Sequence, residues 1–310
     1  MMVVTHRLAA DVILEMTTIG EPGNLDDSTG FGSVPYTYEI STYEVSVAQY
    51  TEFLNTVAQS DPYGLYSGAM QSGPRGPSII QSGADGSYTY EAVPGTENQP
   101  VRWVSFYDAA RFCNWLANGQ GSSSTETGVY DMAQGASVAR GTNTTYVLPS
   151  VDEWYKAAYY DPVNDTYYTY PNGSDSVPAE PIDGTTPREM NFGGLPYWNP
   201  DEQLPREYFT STGETTAQTP YGVRDMGGNV EEWTDNKVIM GGSFDSAESD
   251  LRKTHMDSAD PSTEGDGFGF RVAFLIPEPS TLMLLGTGLA AILWRKRRCR
   301  TLSDFTTPGE

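Results

Sequence analysis

The spacing of apolar residues along the chain predicts three amphipathic helices, each introduced by a serine. Each serine is followed three residues later by an acid or an amide, the pairing of a capping box, in which two side chains bind the free backbone N–H groups of the first turn. The pairs are Ser46 with Gln49, Ser105 with Asp108, and Ser150 with Glu153. After Ser46, helical spacing places one face inward: Val47, Tyr50, Phe53, Leu54 and Val57. The second helix should close at Asn118-Gly119.

The rest of the chain reads as loops and short strands. Residues 66–99 and 118–146 are rich in Gly, Ser and Thr and carry short Tyr, Thr and Val runs that indicate hairpins. After Tyr160, turn signals alternate with short strands down to a closing strand at 268–276. There is no internal repeat and no linker, so we predict a single α+β unit over residues 12–276. Long loops of this kind often form binding surfaces.

The end of the chain has three parts in a fixed order: Pro-Glu-Pro at 277–279, an apolar stretch from about Leu282 to Trp294, and the basic run RKRR. This order predicts a C-terminal transmembrane helix whose basic flank stays cytoplasmic. The alternative is a buried C-terminal helix. Residues 277–298 resemble the PEP-CTERM sorting signal of exported bacterial proteins, with the match carried by Pro277, Glu278 and Pro279. Residues 299–310 remain an unassigned tail.

That resemblance implies a processing partner of the exosortase type and a route through the inner membrane. We expect an exported protein that is held by residues 281–294 before sorting and then reaches the cell surface or the extracellular matrix. The first twenty residues contain no apolar core of the about 7 to 15 residues that a signal peptide needs. A start codon placed too late, or a trimmed sequence, would account for this, and cytoplasmic residence is the alternative.

Charge narrows the range of partners. The chain has 41 acidic and 18 basic residues, a net charge of -23, which repels phosphate backbones and argues against nucleic acid. Divalent cations and cationic partners suit this surface, although acidity that only maintains solubility is an equal alternative. Two cysteines, Cys113 and Cys299, are not expected to pair. Two histidines, His6 and His255, cannot form a three-histidine metal centre.

The stretch PYGVRDMGGNVEEWTD contains the clearest candidate for a metal-binding site. Asp225 and Glu232 flank Gly227-Gly228, which lets the backbone turn sharply and aim its own carbonyls inward. Two carboxylates and free carbonyls form a hard oxygen site of the kind that calcium prefers. The alternative is a hairpin in which the glycines supply the turn and the acids are solvated.

Six ordered motifs resemble the formylglycine-generating enzyme, or sulfatase-modifying factor, family: YEVSVAQYTEFLN, PVRWVSFYDAARFCNWL, LPSVDEWYKAA, PYGVRDMGGNVEEW, GGSF and GFRVA. The resemblance implies an irregular, loop-rich α+β fold similar to C-type lectins, with few helices, short strands and structural calcium. It assigns calcium to the side chains of Asp225 and Glu232 and the carbonyls of Gly228 and Val230. A second family site matches Asn191 and Phe192, while its other ligands do not align.

The resemblance also argues against the family's oxidase activity. Its enzymes hold copper with a cysteine pair after the GGS motif, and here those positions are Ser246 and Leu251. Soft thiolates bind copper(I), whereas serine and leucine do not replace them, so copper is not expected. The iron-dependent branch of the family needs histidines that this chain lacks.

Three functions remain open at this stage. The first is a non-oxidase binding or structural module that contacts an exopolysaccharide or another exported protein. The second is an enzyme that uses the same cleft for different chemistry, with Ser246, Arg252, His255 and Arg271 as its possible residues, although Arg271 more readily fits a bond to core carbonyls or a carboxylate. The third is formylglycine formation from a protein cysteine by an unrecognised route.

Overall fold

The computed structural model describes residues 11–142, 145–179, 189–194, 198–199, 204–205 and 208–276. The helices are α1 Val47–Val57, α2 Ala69–Ser72, α3 Phe106–Ala117 and α4 Val151–Tyr159, with 3-10 helices at Met132–Ser137 and Glu248–Leu251. The strands, in chain order, are β1 Met16–Ile19, β2 Tyr38–Ser41, β3 Ile79–Ser82, β4 Thr89–Ala92, β5 Tyr146–Val147, β6 Tyr160–Asp161, β7 Thr166–Tyr167, β8 Trp198–Asn199, β9 Leu204–Pro205, β10 Glu231–Trp233, β11 Val238–Met240, β12 Asp257–Ser258, β13 Phe268–Gly269 and β14 Ala273–Leu275.

The three predicted capping boxes are confirmed. Ser46, Ser105 and Ser150 are the N-caps of α1, α3 and α4, and in each box the two side chains bind each other's backbone N–H. Helix α3 ends at the predicted position, with Asn118 as its C-cap and Gly119 in the left-handed region at φ 85°. Helix α2 lies in a stretch where only hairpins were predicted. Its four residues are too few to give a periodic pattern.

The aromatic faces of α1 and α3 form the centre of the core. Tyr50 and Phe53 of α1 meet Phe112 and Trp115 of α3, with ring centroids 5.3 to 6.1 Å apart, and Phe270 packs on Phe112 at 5.3 Å. Rings at these separations add attraction beyond their buried area. The predicted inner face of α1 is therefore confirmed, with Val57 half-buried at its end.

Two four-stranded sheets lie around this core. One has the strand order β1-β2-β14-β5 and is antiparallel throughout. The other has the order β12-β11-β10-β13, in which β10 and β13 run parallel. The predicted single strand at 268–276 was wrong in this respect: it is two strands, β13 and β14, that belong to different sheets. In the segment that joins β13 to β14, Phe270 and Arg271 are completely buried.

The hairpin predictions hold in part. Strands β3 and β4 form a hairpin inside residues 66–99, in register from Ile79–Ala92 to Ser82–Thr89. Within 118–146, the described residues show an antiparallel bridge between Tyr130 and Arg140 and a 3-10 helix. The described residues up to Leu275 belong to one compact unit.

The described part of the chain contains no helix with the length and hydropathy needed to cross a membrane. The predicted transmembrane segment and the Pro277-Glu278-Pro279 motif lie outside the described residues, as does Cys299. Cys113 is buried in α3 as a free thiol, and burial raises its pKa well above the ordinary value.

Candidate functional site

The loop that precedes β10 adopts a strained, close-packed path that only some residues permit. Asp225, Gly228 and Asn229 all have positive φ, at 53°, 78° and 63°. A Cβ on Gly228 would lie 2.2 Å from the carbonyl oxygen of Asn191, well inside van der Waals contact. Glycine at 228 is therefore required both by the backbone angle and by the approach of a second chain segment.

Asp225 is buried in this loop and is bound by a neighbouring segment. Its carboxylate accepts hydrogen bonds from the backbone N–H of Gly213 and from the hydroxyl of Thr215. Burial raises the pKa of Asp225, and the two hydrogen bonds oppose that rise. The hairpin alternative required a solvated carboxylate at Asp225, and the structure shows a buried one.

Glu232 lies on β10 and is bound by two donors from other elements. Its Oε2 accepts from Trp154 Nε1 of α4 at 2.8 Å and from Arg271 Nε at 2.6 Å, and its Oε1 accepts from Arg271 Nη2 at 2.7 Å. Arg271 is fully buried and also donates to the carbonyls of Ser41 and Arg224, both at 3.0 Å. This is the role for Arg271 that the sequence favoured over a catalytic one.

Asn191 places the second predicted site beside the first. Asn191 and Gly228 form a parallel β-bridge, and the Asn191 carbonyl accepts from the N–H of Asn229 at 2.7 Å. The Asn191 side chain donates to the carbonyl of Tyr208 at 2.8 Å. Phe192 packs in a small apolar cluster with Tyr170, Met190, Ala217 and Leu251. The structure therefore brings the segment of Asn191 and Phe192 against the loop of Gly228.

Glu44 is a buried acid at this site that the sequence analysis did not single out. Its Oε1 accepts from Asn229 Nδ2 at 3.1 Å, while its Oε2 has no hydrogen-bond partner among the described residues. Burial raises the pKa of Glu44, and the charge of Asp225 raises it further. Its position between Tyr43 and Val45, directly before the capping serine of α1, is the signal that could have identified it.

These groups can be tested for their fit to calcium. Three buried carboxylates, from Glu44, Asp225 and Glu232, lie within electrostatic range of one another, with Arg271 as the buried cation that opposes them. Within the described residues, no three acidic, histidine or cysteine side chains converge as a ready metal cluster. The oxygen donors and the unpartnered Glu44 oxygen are of the kind that a hard divalent cation binds, whereas both oxygens of Glu232 already accept from Arg271 and would have to be shared with the cation.

The two positions to which the family resemblance assigns the copper-binding pair, Ser246 and Leu251, both lie beside Gly242. A Cβ on Gly242 would lie 3.2 Å from Ser246 Cβ and 3.2 Å from Leu251 Cδ2, so both side chains flank the same glycine. The Ser246 hydroxyl accepts from the N–H of Ser243 at 2.9 Å. Leu251 is fully buried in the cluster of Phe192. The two side chains lie beside the same glycine, and one is a hydroxyl while the other is a hydrocarbon.

The remaining residues of the alternative enzyme hypothesis take ordinary surface partners. Arg252 pairs with Glu248 at 2.8 Å across one helical turn. The ring nitrogens of His255 lie 3.8 Å from Asp250 and 3.8 Å from Asp257. Among the hydrogen bonds of the described residues, none joins Ser246 to His255, so no serine–histidine pair is formed there.

With this geometry in place, comparison with known proteins identifies the class. Residues 33–276 match the family model of the sulfatase-modifying factor enzyme 1-like domain, and residues 275–298 match the PEP-CTERM protein-sorting motif. The chain belongs to the sulfatase-modifying factor family. No curated protein sequence gives a significant match.

Solved structures agree with the fold. The crystal structure of CarF is similar with a TM-score of 0.55 at 19% identity, covering 86% of this chain and 99% of that one. Treponema denticola variable protein 1 is similar with a TM-score of 0.51 at 17% identity, covering 86% of this chain and 97% of that one. At these identities the likeness concerns the fold alone.

Proposed function

We propose that this chain is an exported, non-oxidase member of the sulfatase-modifying factor family that acts as a binding or structural module. The observation that carries the proposal is the pair Ser246 and Leu251. Both flank Gly242, where the family resemblance places the copper-binding cysteines, and neither offers a thiolate. Copper(I) prefers soft sulfur ligands, so the chain's own residues at this point leave it without the oxidase metal.

The sorting motif indicates where in the cell the proposed module would act. A family domain joined to a PEP-CTERM motif fits an exported protein that is sorted to the cell surface. An exosortase-type enzyme is the processing partner that such a motif implies. Within the proposal, residues 281–294 anchor the chain in the inner membrane before sorting, and an exopolysaccharide or another exported protein is the surface partner.

Calcium is the structural cofactor in this proposal. The side chains of Asp225 and Glu232 and the carbonyls of Gly228 and Val230 would hold it, and Asn191 with Phe192 would contribute to the neighbouring site. The excess of buried carboxylates over Arg271 supports the assignment because a divalent cation would offset it. Calcium bound to the folded chain alone would add stability by mass action.

The test is an oxidase assay with a matched control. The full chain is incubated in mild detergent with copper(I), oxygen and a peptide containing the sulfatase sequence Cys-x-Pro-x-Arg, and the peptide is examined by mass spectrometry. A family enzyme with both cysteines serves as the positive control. We expect no conversion of cysteine to formylglycine by this chain. Conversion above the control without protein would refute the proposal.

A double variant tests whether the lack of thiolate ligands alone prevents this chain from binding copper. The double variant Ser246→Cys, Leu251→Cys restores two thiols on either side of Gly242. We expect it to bind copper(I) in a competition assay with a colorimetric chelator, while the parent chain does not. If the parent chain and the variant both bind copper(I) equally well, the metal lies elsewhere and Ser246 and Leu251 were misassigned.

A further inference from the structure

A groove lies on a part of the molecule that the site above does not use. It has a volume of about 340 Å³ and opens between the first turn of α3, the 3-10 helix at Met132–Ser137 and two loops. The side chains that give it its chemistry are Tyr63, Tyr107, Asp108, Arg111, Ser262 and Glu264. Its volume is in the range of small-ligand sites.

Hydrogen bonds to the backbone fix the loops that form the walls of the groove. Phe106 N–H donates to the carbonyl of Pro261 at 3.1 Å, and Trp103 N–H donates to Gly265 at 3.0 Å, so the loop of Ser262 and Glu264 is fixed to the start of α3. On the other side, the Asp61 carboxylate accepts from the N–H groups of Leu65 and Tyr66, both at 2.9 Å. A groove that is fixed before binding loses little entropy when a ligand enters.

The lining combines an aromatic surface with groups that donate and accept. Tyr63 is 48% exposed, and the Arg111 guanidinium lies 4.9 Å from its ring centroid. Glu126 holds Arg111 in place through two hydrogen bonds of 2.6 and 3.1 Å. Asp108 accepts from Ser105 with Oδ2, and burial raises its pKa to about 7, with the charge of Glu264 adding to the rise. Carboxylates accept, Arg111 donates, and the hydroxyl of Ser262 does both.

We propose that this groove binds a neutral saccharide, an inference that rests on the proposed role of the chain as a binding module. Sugar hydroxyls both donate and accept, so they can pair with the carboxylates and with the guanidinium in one site. The apolar C–H face of a sugar ring packs on aromatic faces, and Tyr63, whose ring carries Arg111 on one side, keeps enough exposed surface to offer one. The chain's net charge of -23 and the Glu264 carboxylate in the groove disfavour acidic saccharides.

The experiment is a binding titration of the full chain against short neutral oligosaccharides of glucose, mannose, xylose and galactose, followed by calorimetry. We expect binding to at least one of them, with affinity lowered at least about tenfold in Tyr63→Ala and in Glu264→Gln. Tyr168→Ala is the matched control, because Tyr168 follows the β6–β7 hairpin and does not line the groove. Its affinity should equal that of the parent chain.

Three results would overturn the inference: no binding to any neutral oligosaccharide, binding confined to a cationic or an acidic polymer, or binding that survives both Tyr63→Ala and Glu264→Gln. None of these depends on the oxidase assay. Failure of the groove with no peptide conversion therefore removes only this inference, whereas peptide conversion removes the proposed function whatever the groove binds.

Discussion

Glu232 and Arg271 form a two-pronged ion pair in the interior, with Nε to Oε2 at 2.6 Å and Nη2 to Oε1 at 2.7 Å. Glu232 belongs to β10 of one sheet, and the same guanidinium donates to the carbonyl of Ser41 at the end of β2 in the other sheet. A single side chain therefore joins both sheets and the loop between Arg224 and Glu232.

Removing the cation of this pair should destabilise the fold strongly. Arg271→Met keeps most of the side-chain length but leaves the Glu232 charge buried and unpaired, which costs about 3 to 5 kcal/mol in free energy of unfolding. Urea unfolding in EDTA measures this loss without a contribution from calcium. Arg252→Met, which breaks an exposed pair with Glu248, should leave the midpoint nearly unchanged. Equal losses in the two variants would contradict a central role for Arg271.

The close approach at Gly228 can be separated from its backbone angle. Gly228→Ala and Gly222→Ala both place a side chain at positive φ, at 78° and 88°, and both should lose about 1 to 2 kcal/mol for that reason. Gly228→Ala also drives its Cβ into the Asn191 carbonyl, whereas a Cβ on Gly222 meets nothing within 4 Å. We expect Gly228→Ala to be the more destabilised of the two by thermal and urea unfolding. Similar losses would argue that the Asn191 segment moves away easily.

Calcium should stabilise the parent chain and not a variant that lacks one ligand. At a hundred times its dissociation constant, calcium would add about 2.7 kcal/mol to the free energy of unfolding. Asp225→Asn removes one charge at nearly constant shape, so its unfolding should be the same in calcium and in EDTA. Glu91→Gln, on the exposed side of β4, should respond as the parent does. A parent chain that is indifferent to calcium would refute the assigned site.

Asp108 makes a pH prediction with a definite sign. Burial raises its pKa from 3.8 to about 7, so the folded chain holds this proton where the unfolded chain has lost it. The stability that Asp108 contributes is thus complete below about pH 4 and is lost as the pH rises through about 7. The stability of the parent relative to Asp108→Asn should fall over that interval by on the order of 2 to 4 kcal/mol. Urea unfolding of the parent and of Asp108→Asn at a series of pH values measures this fall, and a difference that does not change with pH would contradict it.

The helices were predictable because their signals are local. A capping box needs only two residues three positions apart, and the apolar face of α1 is set by the helical repeat. The same holds for Gly119, which can take the left-handed angle that ends α3. These features depend on sequence neighbours and not on the rest of the fold.

The partners of the site residues were not predictable in the same way. Glu44 binds Asn229 across 185 positions, and Arg271 binds Glu232 across 39. The run 268–276 shows the same limit, because alternation predicts a strand but does not say which sheet each part joins. The assignment of Asp225 and Glu232 to calcium came from their spacing around Gly227-Gly228 and from family resemblance, and it stays a proposal.

The position of β14 has a consequence for synthesis. This strand, the last among the described residues, lies between β2 and β5, so both of those strands keep an open edge until residues 273–275 have been made. Open strand edges in an incomplete chain are liable to pair with other chains. In the sequence, Pro277 follows Leu275 by two positions. The residues that complete this sheet are thus followed at once by the segment that matches the sorting motif, so a ribosome that has made this segment has already made every strand of the sheet.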